Sequence, residues 1–210
     1  MTLFHNKFRI ETTRLPDWDY RAGAWYFVTI CTKNKECSLG SVAGGRIALT
    51  KAGAIAQNEL LSLAHHYQNA TVDRFVVMPN HVHAIIVIAT KHAYSPNEPA
   101  FSLVETRLAA SPVPATELQH PSLGNIVGGY KSGVCRICHK SGIANFAWQP
   151  RFYDHILRSN ASVNAVRDYI DHNPDNWLED PDRAAIESSG TVRGGDGASP
   201  VSTHRFPRRP

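Results

Sequence analysis

Two histidines, His81 and His83, stand two apart in the stretch Met78-Pro79-Asn80-His81-Val82-His83-Ala84-Ile85-Ile86-Val87-Ile88. Side chains two apart in a strand leave the same face. Two neutral imidazoles side by side can hold one metal ion, and neutrality costs little near pH 7. Spacing alone leaves two readings open: half of a metal site, or a pair of solvent-facing or core-edge histidines. A second constellation lies in Arg167-Asp168-Tyr169-Ile170-Asp171-His172-Asn173-Pro174. Tyr169 and Asn173 are four apart, hence on one helical face one turn apart. A tyrosine hydroxyl can act as a nucleophile, and an asparagine carbonyl oxygen can ligate a hard cation. The alternative is structural: Tyr169 packs, and Asn173 is the helix stop.

Tyr153 is the rival nucleophile. It precedes Asp154 and His155, and strand alternation puts Tyr153 and His155 on one face. Tyr169 is preferred because its helix also offers Asn173. Cys135-Arg136-Ile137-Cys138-His139 has the form of a c-type haem attachment site. That reading is rejected: attachment needs export, Met1 to Lys7 has no apolar leader segment, and the motif falls inside a helical pattern. A zinc site joining Cys135 and Cys138 to Cys31 and Cys37 is weakened by the absence of a second short Cys-x-x-Cys spacing. The four cysteines are expected to be thiols of a cytoplasmic protein.

The elements that must carry these residues follow from periodicity. Ala24 to Thr32 is rich in β-branched and aromatic residues and reads as a strand. Residues 33–50 read as a loop or hairpin with a short strand at 46–49. Thr50 caps a first helix whose Ala54, Ile55, Leu60, Leu61 and Ala64 keep helical spacing to about residue 67. Pro79-Asn80 is a tight turn between strands at 71–78 and 81–89. Ser122 caps a second helix carrying Leu123, Ile126, Val127, Tyr130, Val134 and Ile137 on one stripe, closed by Gly142. Residues 146–158 read as extended, with Pro150 interrupting. Asn160 or Ser162 caps a third helix that ends at Asn173-Pro174. Helices and strands alternate, and the tight hairpin demands antiparallel pairing. The expected fold is α+β, a mainly antiparallel sheet with packed helices.

The chain has 210 residues, 42% of them apolar, enough for one domain with a real core. It divides into an arm (1–22), a domain (23–180) with a Pro-rich insertion at 90–121, and a basic tail (181–210) of disorder-prone composition. No apolar run is long enough to span a membrane. A net charge of +4 and a pI of about 8.9 permit an anionic partner without demanding one. Candidate nucleic-acid contacts are Lys131, Arg136 and Lys140 on the second helix and Arg151 and Arg158 flanking Phe152 and Tyr153. Arg9, Arg14 and Arg21 in the arm and Arg205, Arg208 and Arg209 in the tail could add backbone contacts.

Three blocks occur in order: Met78-Pro79-Asn80-His81-Val82-His83, Trp148-Gln149-Pro150-Arg151-Phe152-Tyr153-Asp154-His155-Ile156-Leu157-Arg158, and Asp168-Tyr169-Ile170-x-x-Asn173-Pro174-x-x-Trp177. Together with the strand Trp25 to Thr32 they resemble the REP-associated tyrosine transposases, a single-tyrosine branch of the HUH endonucleases. The likeness covers about residues 9–180. It implies a ferredoxin-like, HUH-type α/β sandwich. It implies His81 and His83 as ligands of a divalent cation, Mg²⁺ or Mn²⁺, with Asn173 completing the site and Tyr169 as the nucleophile. Imidazole ligands suit Mn²⁺ better than Mg²⁺. The implied partner is single-stranded DNA carrying palindromic repeats that fold into hairpins, cut through a 5′-phosphotyrosine link. A monomer is implied over a homodimer, in the cytoplasm at the nucleoid. The competing reading is a non-catalytic, domesticated repeat-DNA-binding protein.

Overall fold

A computed structural model of the chain describes residues 3–4, 7–8, 15, 17–89 and 121–180. The tail from 181, half of the arm and all of the Pro-rich insertion except residue 121 lie outside these.

Two dipeptide strands, β1 (Leu3–Phe4) and β2 (Lys7–Phe8), pair with each other. The domain is built on β3 (Ala24–Cys31), β6 (Ala70–Val77), β7 (His81–Ile88) and β8 (Tyr153–Leu157). They form one sheet in the order β6-β7-β3-β8, every neighbour antiparallel. Between β3 and β6 run a hairpin, β4 (Gly40–Ala43) and β5 (Arg46–Leu49), then helices α1 (Lys51–Leu61) and α2 (Leu63–His66). Helix α3 (Leu123–Lys140) links β7 to β8, and α4 (Asn160–His172) follows β8. The expected α+β antiparallel sheet with packed helices is the fold, and its β-α-β-β-α-β order is that of a ferredoxin-like sandwich.

Period-2 alternation divides the sheet into two faces. Tyr26, Val28 and Ile30 of β3 and Val82, Ala84, Ile86 and Ile88 of β7 join Ala56, Leu60, Ile126, Val127, Tyr130 and Val134 in the main core under α1 and α3. Phe27, Ile85 and Leu157 point the other way and meet Val163, Val166 and Ile170 of α4. Those three α4 positions follow the i, i+3, i+7 stripe of a half-buried helix.

Local chemistry sets most boundaries. Gly44 and Gly45, with φ of 54° and 71°, make the two-residue turn between β4 and β5, which requires positive φ at both central positions. Thr50 Oγ1 accepts from Gly53 N at 3.1 Å at the start of α1. Ser122 and Asn125 form a reciprocal capping box on α3. Its C-terminus closes with Ile143 N donating to Cys138 O at 2.9 Å and Gly142 N to His139 O at 3.1 Å, and Gly142 has φ of 87°.

Three expectations shift. The first helix is not continuous to residue 67: Ser62 sits at φ −87°, ψ 0° between α1 and α2, in the sparsely allowed region used by turns. The cap of α4 is Ser159 rather than Asn160 or Ser162. Ser162 is instead the other half of the box, with Ser162 N donating to Ser159 Oγ and Ser159 N to Ser162 Oγ, each at 3.1 Å. The extended stretch 146–158 becomes a regular strand only from Tyr153, after one isolated bridge between Thr32 and Trp148.

Candidate functional site

The β6–β7 turn is fixed from outside as well as by its own residues. Met78 N donates to His81 O at 2.8 Å, Thr32 N and Thr32 Oγ1 both donate to Asn80 O at 2.9 Å, and Leu39 N donates to Pro79 O at 2.9 Å. The strand β7 that leaves this turn is buried on both faces. Its odd positions, His81, His83, Ile85 and Val87, share the α4 face, so the two histidines are the polar end of an otherwise apolar row. Both are fully buried, and their ring centroids are 4.3 Å apart.

Each imidazole is oriented through Nδ1. His81 Nδ1 donates to Asn80 Oδ1 at 2.8 Å, because an amide oxygen can only accept. That assignment leaves the lone pair on Nε2. His83 Nδ1 is bonded to Thr29 Oγ1 at 2.9 Å. Thr29 is its directly paired neighbour on β3, so register alone delivers the contact. In both rings an outer partner engages Nδ1, the arrangement by which such partners fix metal-binding histidines.

Helix α4 lies across this face. Burying Val163, Val166 and Ile170 supplies the attachment, at about 1.5–3 kcal/mol per side chain. Polar pairs then set its lateral position over β6. Arg167 Nε donates to Asp73 Oδ2 at 2.8 Å and Nη2 to Asp73 Oδ1 at 2.6 Å. The guanidinium also lies over the Trp25 ring, 5.5 Å from its centroid. Arg74 lies 3.6 Å from Asp171. Consecutive strand residues ordinarily face opposite ways, yet Asp73 and Arg74 both reach α4. The cause is a bulge: Val72 pairs with Ile86 and Arg74 with Ile85, leaving Asp73 as the extra residue.

Docked in this way, Tyr169 is half-buried with its hydroxyl 3.3 Å from His83 Nε2. Its ring meets Phe27 edge-on at 6.0 Å. One turn later Asn173 ends the helix and is buried, and its Oδ1 has no hydrogen-bond partner among the described residues. A buried amide oxygen without a partner is costly and calls for an explanation such as a ligand. Beyond it, Trp177 in the 3-10 turn Trp177–Glu179 packs 6.2 Å from the His81 ring. The chain then delivers Asp180, whose carboxylate is buried 3.9 Å from His81 Nε2. One ligand atom each from His81, His83 and Asp180 fall within 4.8 Å of one another, the one such group among the described residues. Two imidazole nitrogens and a carboxylate oxygen form a donor set that a divalent cation fits.

Tyr153 lies on the same face, paired with Thr29 on the opposite side from His83. Burial and the neighbouring Asp154 push its hydroxyl above the usual tyrosine range. His155 is opposite Phe27 on that face, and burial together with Arg158 holds its imidazole below the usual range. The basic candidates are spread over the molecule. Lys131, Arg136 and Lys140 ride on α3, which covers the other side of the sheet. Lys131 Nζ donates to the carbonyls of Gln149, Pro150 and Arg151, which braces the approach to β8, and burial lowers its pKa. Arg136 lines a cavity of about 360 Å³ with Glu59, His66 and Tyr67. Lys140 and Arg151 are exposed, and Arg158 lies 5.9 Å over the Trp18 ring. None of the four cysteines is in a disulfide, and among the described residues they join no metal-ligating group.

Sequence reasoning missed Asp180, Thr29 and Asn80 as parts of the site. Thr29 was open to detection once β3 and β7 were paired in register. Asn80, beside His81, reads from the sequence as a turn residue only. Asp180 carries no local signal.

No described family model matches the chain. A solved structure of a REP-associated tyrosine transposase bound to a REP hairpin aligns over 95% of this chain and 100% of its own, at 17% identity and a TM-score of 0.49. A Haemophilus influenzae protein, described as uncharacterized, is 32% identical over 170 residues, spanning 81% of this chain and 91% of that protein. At that identity and coverage the chain belongs to the same protein family as its Haemophilus influenzae relative.

Proposed function

We propose that this chain is a metal-dependent, transposase-like enzyme that nicks and rejoins single-stranded DNA at palindromic repeat hairpins, with Tyr169 as the nucleophile. The observation that carries the reading is the 3.3 Å approach of the Tyr169 hydroxyl to His83 Nε2, on the face where Asn173 Oδ1 is buried without a partner among the described residues. The ordered sequence blocks resembling REP-associated tyrosine transposases support the same reading. His81, His83 and Asn173 are the residues that would hold the cation. When bound, the cation would neutralise charge on a phosphate's non-bridging oxygens and favour the phenolate of a side chain whose ordinary pKa is about 10.

The step balances without a cofactor that is consumed. Tyr169 Oη attacks a backbone phosphorus, a P–Oη bond forms, and the bond from phosphorus to the 3′ oxygen breaks. The phenol proton ends on that 3′ oxygen, leaving a free 3′-OH and a 5′-phosphotyrosine. A phosphotyrosine ester is close in energy to the diester it replaces, so a 3′-OH can reverse the step and join strands without ATP. Tyr169 and both histidines come from one chain, which favours a monomeric unit. Arg151 and Arg158, beside β8, are the nearest of the basic candidates to the strand that shares the site's face and are proposed to contact the DNA backbone. Lys131, Arg136 and Lys140, on the far side of the sheet, would serve a longer hairpin stem.

The test is incubation of the full chain with single-stranded oligonucleotides taken from repeats flanking its gene, with Mn²⁺ or Mg²⁺. The expected product is a DNA adduct that survives denaturing electrophoresis, lost in Tyr169→Phe and kept in Tyr153→Phe. An adduct that persists in Tyr169→Phe overturns the assignment. Metal-independent hairpin binding with no adduct favours the non-catalytic binding protein instead.

A further inference from the structure

Beyond the two histidines and Asn173, the geometry points to Asp180 as a further protein ligand of the cation, giving a site of two imidazoles, one amide oxygen and one carboxylate. This deepens the metal-dependent reading above and rests on it. Three observations carry the inference. One ligand atom from each of His81, His83 and Asp180 lie within 4.8 Å of one another. All three side chains are buried. The Nδ1 atoms of both rings are bonded to Asn80 and Thr29, and His81 Nε2 lies 3.9 Å from the Asp180 carboxylate.

The carboxylate brings what the other three residues lack. His81, His83 and Asn173 are neutral donors, and a cation held by neutral donors alone keeps its whole charge in a low-dielectric site. A carboxylate in the donor set offsets part of that charge. The resulting nitrogen-and-oxygen set suits Mn²⁺ or Zn²⁺ better than Mg²⁺, which dehydrates reluctantly and favours all-oxygen shells.

The inference also couples metal binding to chain order after α4. Asp180 is delivered by the turn Trp177–Glu179, in which Glu179 N to Asn176 O is 3.0 Å while Trp177 N to Pro174 O and Asp180 N to Trp177 O are both 3.4 Å. Bonds of the latter length are near the limit of useful geometry. Trp177 is buried and packs beside His81. A ligand bond from Asp180 would lock the turn.

The experiment titrates the full chain, stripped of metal by a chelator and dialysis, with Mn²⁺ alone in a calorimeter. Amide hydrogen exchange of residues 177–180 is followed with and without Mn²⁺. Asp180→Asn, which keeps size and shape, is expected to weaken Mn²⁺ binding by more than about tenfold, a loss that removing a mere supporting partner can already cause. It is also expected to abolish Mn²⁺-dependent protection of residues 177–180. Asp180→Glu, which keeps the charge on a longer arm, should recover part of both. If Asp180→Asn binds Mn²⁺ within about twofold of wild type while His83→Ala does not bind, twofold being far below the loss of a supporting partner, Asp180 is not a ligand. Wild-type protein that binds no Mn²⁺ overturns the inference together with the metal dependence. Asp180-dependent Mn²⁺ binding without any DNA adduct leaves the inference standing and removes the nuclease. An adduct combined with Asp180-independent binding does the reverse.

Discussion

The hydroxyl of Tyr169 and Nε2 of His83 lie 3.3 Å apart although 86 positions separate them in sequence. Neither β7 nor α4 makes this contact by itself. It needs α4 on the histidine side of the sheet and the correct sliding position along it. The apolar stripe Val163, Val166, Ile170 supplies the first, and the pairs to Asp73 and Arg74 supply the second.

The Asp73–Arg167 pair is therefore expected to contribute more than an ordinary surface ion pair. Its two parallel bonds and the stacking on Trp25 give it fixed geometry, although both side chains are partly exposed. A double-mutant cycle with Asp73→Ala and Arg167→Ala, read by urea unfolding, should give a coupling of about 1 kcal/mol, the top of the range for exposed pairs. The more open Arg74–Asp171 pair should give less than half of that. Equal couplings would show that the two parallel bonds and the Trp25 stacking add nothing to the pair.

Thr29 is expected to act on the cation through His83. Thr29→Val keeps the β-branched shape and removes the oxygen that bonds Nδ1. Losing such an orienting partner lowers metal affinity by about 10- to 100-fold in well-studied sites. Mn²⁺ titration of Thr29→Val and of Asn80→Ala checks this, with a melting curve in metal-free buffer to show that each variant folds. Unchanged affinity in both would mean that the Nδ1 bonds do not set ring orientation.

Ser159, rather than Asn160 or Ser162, opens α4. Ser159→Ala should cost about 1 kcal/mol, the usual value of a lost N-cap, and Asn160→Ala should be close to neutral. Thermal unfolding of the two variants distinguishes them, and a larger loss for Asn160→Ala would contradict the capping box seen here.

His155 gives a pH dependence with a definite sign. Burial and Arg158 hold its pKa below the ordinary value in the folded chain. As pH falls below about 6.5, the unfolded chain takes up the proton first, so stability decreases. The loss levels off once pH passes below the folded-state pKa. Above about 6.5 the group has no effect. The urea midpoint should therefore fall between pH 7.5 and 5.5 by more in wild type than in His155→Gln, and an equal fall would show that His155 is not responsible.

Much of the frame was legible in the residues. Period-2 alternation put His81 and His83 on one face, and the four-residue spacing put Tyr169 and Asn173 on one side of a helix. Thr50, Ser122 and Gly142 marked helix ends because capping depends on neighbours within a turn. The same locality explains the errors. Ser159, Asn160 and Ser162 are all cap-forming types within one turn, and only the reciprocal bonds distinguish them.

The amino-acid sequence by itself determined which side chains leave the same face of one element, since that is fixed by the backbone repeat of a strand or a helix. It determined the antiparallel hairpin and the helix stop at Asn173-Pro174 for the same reason. Only the tertiary structure decided which face of the sheet α4 covers, because that follows from burial summed over residues on β3, β7 and β8 at once. It decided that Asp73 and Arg74 reach the same helix, because a bulge is defined only against its partner strand. It decided that Lys131 braces the carbonyls before β8. It also brought Asp180 beside His81, a neighbour that no spacing could have announced, because the turn after α4 carries it there.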